Sequence, residues 1–241
     1  MAGNGIWAKI HKWLALLMAV QIMLWFASGL FFAMFPIERV RSEHAIAAAA
    51  AAPVPFDRAA DGLLRLGSAG VTGERIEIRT LLGRTVALVS PREGRPRLYD
   101  LATGRRASPI SMASAARIAE ADLAGDARAA RIARVTANDS EYRGALPAWR
   151  VDFAEAGRSL YVAADSGLVT ARRSTLWRVY DFLWGLHIMD WRHHEDFNTP
   201  LLMIATVLAL AMAIAGIVLL PSRLGLTGGL RRRRINRSAA G

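Results

Sequence analysis

Two long stretches of this chain contain no charged residue, and they limit what it can fold into more than any other feature. One runs from Leu14 to Phe35; the other runs from Leu201 to Leu220 and meets Pro221. Each is about 20 residues long, which is what an α-helix rising about 1.5 Å per residue needs to cross about 30 Å of hydrocarbon. Residues 14–35 and 200–220 are therefore expected to form two transmembrane helices. Thr199 or Asn198 would cap the second, with Pro200 at its first helical position.

The net charge of +11 fits this layout better than nucleic-acid binding, because of where the charge lies. Lys9 and Lys12 precede the first run, and Arg223, Arg231, Arg232, Arg233, Arg234 and Arg237 follow the second. These flanks hold no acid and account for eight of the positive charges. Basic flanks at the outer ends of two spans mark them as cytoplasmic. The expected topology is a multi-pass inner-membrane protein with residues 1–13 and the basic tail 221–241 inside. The arginine run reads as a solvated tail facing anionic lipid, with no nucleic-acid partner. In a competing reading, residues 1–52 form a cleaved signal peptide, but the apolar run exceeds the usual h-region of about 7–15 residues. With no cysteine in the chain, disulfides, thiolate metal sites and thiol catalysis are excluded.

Between the spans, residues 36–55 read as a linker, with an alanine-rich tract followed by Pro53 and Pro55. Two similar units are expected after it, over 56–110 and 111–173. Each opens with a helical pattern, "PFDRAADGLLRLGSAG" and then "SMASAARIAEADLAG". Each continues with three strand-like segments: "ERIEIRTLL", "RTVALVS" and "PRLYDLATG" in the first, and "ARIARVTA", "PAWRVDFA" and "RSLYVAADSG" in the second. Asp100 and Asp165 precede Gly104 and Gly167 and read as turn-shaping acids.

The segment "LPAWRVDFAEAGRSLYVAADSGLV" resembles the PepSY domain, and the flanks resemble PepSY-associated transmembrane proteins. In that family the first membrane helix opens with a His-basic-Trp triplet, here His11-Lys12-Trp13. It carries a late Ser-Gly, here Ser28-Gly29, and a Leu-His pair, here Leu186-His187, precedes the next membrane helix. The resemblance covers about 11–220. It implies an α+β fold class, with two transmembrane α-helices flanking a periplasmic domain of two tandem α-β-β-β PepSY-like units. It further implies a binding module, in some members a peptidase modulator, and in membrane-embedded members a link to iron acquisition or haem-containing reductases. Larger members carry about four membrane helices where this chain has two.

Three of the five histidines lie in "DFLWGLHIMDWRHHEDFNTP", residues 181–200. Residues 174–199 are expected to be an amphipathic interfacial helix and collar, with Trp177, Trp184 and Trp191 repeating every seven residues. The sharper reading makes His187 a ligand of haem b, with His11 as the family-matched second candidate. His11 would lie at the opposite membrane face, about 30 Å away, so one haem cannot use both. Zinc through His193, His194, Asp190 and Glu195 is the other metal option, although no HExxH spacing is present. Gln21, mid-way along the first apolar run, needs a partner on the second helix or a second protomer. Ala205, Ala209, Ala213 and Gly216 form a small-residue ridge suited to close helix contact, with Ser28-Gly29 a possible opposing surface. Trp13, Trp184 and Trp191 are interfacial anchors. No nucleophile–base constellation is visible, so an enzyme is not expected. The reading is an accessory binding protein whose partner is another envelope protein or a second copy of itself.

Overall fold

A computed structural model describes residues 2–47 and 53–224 of the chain, leaving the arginines at 231–234 and 237 and the alanines at 48–52 outside the described residues. Contacts divide the chain into two compact units, one of Phe35–Tyr180 and one of Met1–Met34 with Asp181–Gly241.

The first unit is mixed α+β and holds two small antiparallel sheets. One orders β1 (Arg75–Leu81), β2 (Arg84–Ser90) and β3 (Arg97–Asp100) side by side; the other orders β4 (Ala129–Val135), β5 (Ala148–Phe153), β6 (Ser159–Ala163) and β7 (Val169–Arg173). The second sheet thus has four strands where the sequence pattern gave three. β7 is the short "VTARR", whose two closing arginines hide its alternation, and it follows a turn at Gly167 with φ 68°.

The three-stranded sheet is buried on both faces, which is why β2 reads as a continuous apolar run. Val86, Leu88 and Leu98 join Ala115, Ile118 and Ala119 of α4 (Met112–Asp122), together with Val151, Phe153, Leu160 and Val162 of the other sheet. Ala87, Val89, Tyr99 and Leu101 instead pack with Ala59 and Leu66 of α3 (Phe56–Ser68). Gly62 makes the second contact close, since a Cβ there would sit 2.6 Å from that of Leu101. Helix α4 starts with Ser111 Oγ accepting from the Ser114 amide.

Part of the expected linker is structured. It forms α2 (Ile37–Val40) and a 3₁₀ turn (Glu43–Ala45) with Val40 and Ala45 buried. The Ala47 amide donates to the Asp122 carbonyl, and Ala124 donates to Ala45, stitching this segment to the end of α4.

On the face of the four-stranded sheet that turns away from α4, Tyr142 stacks on Tyr161 with centroids 4.5 Å apart. Beside them the Glu141 carboxylate accepts from Arg178 Nε (2.6 Å) and Nη2 (3.1 Å), pairs with Arg150 at 3.5 Å and accepts from the Tyr161 hydroxyl. The Arg178 hydrogen bonds hold the Glu141 carboxyl below its usual range, against the upward pull of burial. Burial pushes the Tyr161 hydroxyl up to about 12, so it stays protonated and keeps donating.

In the other unit, α1 (Ala2–Met34) and α6 (Pro200–Arg223) pack together as an antiparallel pair. Thr199 caps α6 through the Leu202 amide with Pro200 next, and the helix runs two residues past Pro221. Only 11 % of each apolar window is buried within the molecule, unlike the core helix of a soluble protein. The face of α6 turned inward includes Ala205, Ala215 and Leu219, whereas Ala213 is exposed. Residues four apart advance about 40° beyond a full turn at each step, so a ridge of fours drifts off the contact face.

Replacing Glu141 with Gln removes the charge that Arg178 and Arg150 share. The expected cost is about 1–2 kcal/mol, reduced by solvent screening at this partly exposed site. A carboxyl held low stabilises the fold fully above its unfolded pKa, and this contribution is lost as pH falls through the folded value. Melting curves recorded from pH 7 downward should therefore lose stability below about pH 4.3 in the native chain, and Glu141→Gln should flatten that acid limb.

Candidate functional site

The chemistry-bearing residues of the membrane unit meet where α1 touches the end of α5 (Thr175–Ile188), a helix within which the division between the two units falls. Ser174 Oγ accepts from the Trp177 amide and starts α5. Met189, with φ 56°, stops it. The last carbonyls of any helix lack intrahelical donors. Here α1 supplies them: Trp25 Nε1 donates to the His187 carbonyl at 2.7 Å, and Gln21 Nε2 makes a long 3.5 Å bond to Leu186. The Gln21 amide therefore finds its partner on α5, not on the second apolar helix. In an apolar layer an unpaired carbonyl costs several kcal/mol, so these side chains are the natural place for α1 to spend its polarity.

Ser28, 1 % exposed, adds a third rung, its hydroxyl 2.7 Å from His187 Nδ1. The proton assignment follows from the remaining contacts. Ser28 Oγ lies 2.6 Å from the Leu24 carbonyl, which can only accept, so the single hydroxyl proton goes there. With the hydroxyl proton so placed, His187 Nδ1 is the donor and Nε2 the bare lone pair. Burial lowers the His187 pKa, keeping the ring neutral around pH 7. The fold therefore loses stability as pH falls below the ordinary histidine value of about 6.5, because the unfolded chain takes up the proton more readily. The imidazole stacks nearly parallel to Trp184 (6° between planes) and meets Phe32 edge-on, with centroids 5.5 Å apart. A neutral imidazole whose other nitrogen donates to a fixed acceptor, here the Ser28 hydroxyl, is the form that ligates a metal.

His11 is held differently. Its Nδ1 donates to the Met212 carbonyl at 3.0 Å, and a Cβ on Gly216 would come within 3.2 Å of its ring. Gly216 thus makes room for His11, and the pair clasps α1 to α6. Seventeen residues of α1 separate His11 from Ser28, about 25 Å of helix, so the two histidines cannot share one iron. Trp13 is exposed, with the Lys12 ammonium 5.7 Å from its ring centroid. Gly29 has open space around it and faces no small-residue ridge.

The collar 189–199 is a folded loop. Asp190 is buried and accepts from the amides of Arg192, His193, Glu195 and Asp196. The Glu195 and Asp196 amides hold its carboxyl far below the ordinary range. His194 Nδ1 lies 2.6 Å from Asp181, its ring fills the notch left by Gly185, and its carbonyl accepts from Trp184 Nε1. Asp190 and His194 are thus committed to the loop's own structure. Among the described residues, no three His, Asp or Glu gather as a metal would require, so the zinc grouping with His193 is not assembled. Trp191 is exposed. Sequence reasoning missed Trp25 and Asp181. Gln21, Trp25 and Ser28 recur at i, i+4 and i+7, a polar stripe along an otherwise apolar helix that was there to be seen.

Trp25→Phe keeps the ring and deletes the donor to His187. The loss should be about 0.5–1.5 kcal/mol, read as faster hydrogen exchange in the last turn of α5 with exchange in mid-α6 unchanged. Equal acceleration in both helices would mean a general loosening of the bundle instead.

A family model described as "PepSY-associated TM region" matches residues 8–240. No curated protein and no solved structure matches the chain. With nearly the whole length covered by that model and two apolar spans in place, the chain belongs to the PepSY-associated transmembrane family.

Proposed function

We propose that this chain is an accessory protein of the bacterial inner membrane. Its outer unit binds another envelope protein or a second copy of the chain, in iron handling or envelope electron transfer. Both termini would be cytoplasmic and residues 36–199 periplasmic, as the acid-free basic flanks favour. The observation that carries the reading is how the outer unit uses its acids. Glu141 and Asp152 are both held below the usual carboxylate range, Glu141 by Arg178 and Asp152 by Ser159 and Arg150 against the opposing effect of burial. Carboxylates held ionised and fully engaged suit a rigid binding surface, whereas acid–base catalysis needs groups poised near neutral pH. Photo-cross-linking in native membranes, from probes placed on exposed positions of the outer unit such as Leu64 and Ile76, tests this. A discrete adduct supports the proposal. Adducts to lipid alone, at every position tried, would sink it.

A second reading is favoured by the His187 geometry: haem b bound to Nε2 of a neutral imidazole in an aromatic setting. His187 would hold the iron through Nε2. A second axial ligand would have to come from a partner, since His11 is committed at the far end of α1. Bound haem would supply one-electron transfer, while this chain's part would be to orient the ligand through Ser28 and to keep the ring unprotonated. A reduced-minus-oxidised absorbance spectrum of protein expressed with haem supply should show sharp α and β bands that vanish in His187→Ala. A flat spectrum with haem present in stoichiometric amount overturns the haem reading and leaves the accessory reading standing.

A further inference from the structure

The outer unit leaves an opening in its own core. A cleft of about 610 Å³ lies between α4 and the β1–β2 hairpin, floored by Val86, Leu98, Ile110 and Ile118. Protein interiors seldom leave voids larger than a water molecule, and this volume is in the range of small-molecule sites. Three features indicate what it takes.

The first is a strained lip. The two-residue hairpin turn is Leu82-Gly83, with φ 50° and 78°, the I′ geometry that Asn-Gly satisfies without strain. A leucine at positive φ is a genuine outlier, and such outliers cluster at ligand clamps. Here it sets an apolar side chain on the rim of the cleft. The second is charge. Arg84 and Arg117 line the same opening, and Arg84 is matched by Asp100 at 3.4 Å. Arg117 is exposed and has no ion pair among the described residues. One uncompensated guanidinium over an apolar floor suits a single negative charge. The third is shape: a guanidinium presents a planar fork that matches a carboxylate at two points.

We propose that this cleft binds an apolar chain ending in a carboxylate, its body on Val86, Leu98 and Ile118 and its carboxylate on Arg117. A free aliphatic acid and the C-terminus of an apolar peptide share that chemistry. The proposal is independent of His187 and of any haem. If the outer unit does bind a protein partner, a carboxyl terminus is one way for the partner to be held.

Full-length protein in zwitterionic nanodiscs would be titrated with octanoate, with octylammonium, and with a short apolar peptide bearing a free or an amidated C-terminus. Saturable binding of octanoate identifies an aliphatic acid, and saturable binding of the free-terminus peptide alone identifies a chain end. In either case Arg117→Glu, at an exposed position, should weaken binding at least tenfold without shifting Tm. Leu82→Asn, which takes the apolar side chain off the rim, should weaken binding as well. The proposal is overturned if octylammonium or the amidated peptide binds as tightly as the carboxylates. Arg117→Glu binding unchanged, or no probe saturating, overturns it equally.

Discussion

The last carbonyls of a helix must find donors, and this requirement organises the membrane unit. Helix α5 ends beside α1, and Gln21 and Trp25 turn towards its final turn. Ser28 continues the stripe and fixes the ring of His187. The aromatic packing of Trp184 and Phe32 around that ring follows from the same placement. So does the collar: Asp190 gathers four amides immediately after the helix stops, and His194 folds back on Gly185 to bond Asp181.

The same economy appears at the other end of α1. His11 could have been a free ligand, yet its Nδ1 proton goes to a backbone carbonyl of α6 and its ring fills the space above Gly216. Helix α1 thus meets two histidines, its own His11 as a clasp to α6 and, through Ser28, the His187 imidazole of α5 with its bare Nε2. In the α+β unit the analogous hub is Glu141, which joins β5 and β6 to the first turn of α5 through Arg150, Tyr161 and Arg178.

Much of the fold was legible in the sequence because it rests on periodicity. The two charge-free runs, the two strands of the β1–β2 hairpin and the "SLYVA" strand all announce themselves by pattern. Other features did not. β7 is too short and too basic at its end to read as a strand. The segment 37–47 looks like linker by composition, and only the backbone bonds to Asp122 and Ala124 reveal it as part of the core. Of the small-residue ridge, Ala205 is buried and Gly216 meets His11 while Ala213 lies exposed, since spacing by fours does not stay on one helical face. At the site, His187 was legible as a lone histidine on an aromatic helix. Its proton state was not, because that depends on Ser28 and Leu24, 159 and 163 positions away in sequence.

The account turns on His187 being a neutral imidazole protonated at Nδ1 and open at Nε2. Nitrogen-15 spectra of histidine-labelled protein in lipid, with the His187 signal assigned by its loss in His187→Gln, report this directly. The predicted result at neutral pH is a protonated Nδ1 and a bare Nε2, reverting towards the ordinary Nε2-protonated tautomer in Ser28→Ala. An Nε2-protonated or doubly protonated ring in the native chain would contradict the account.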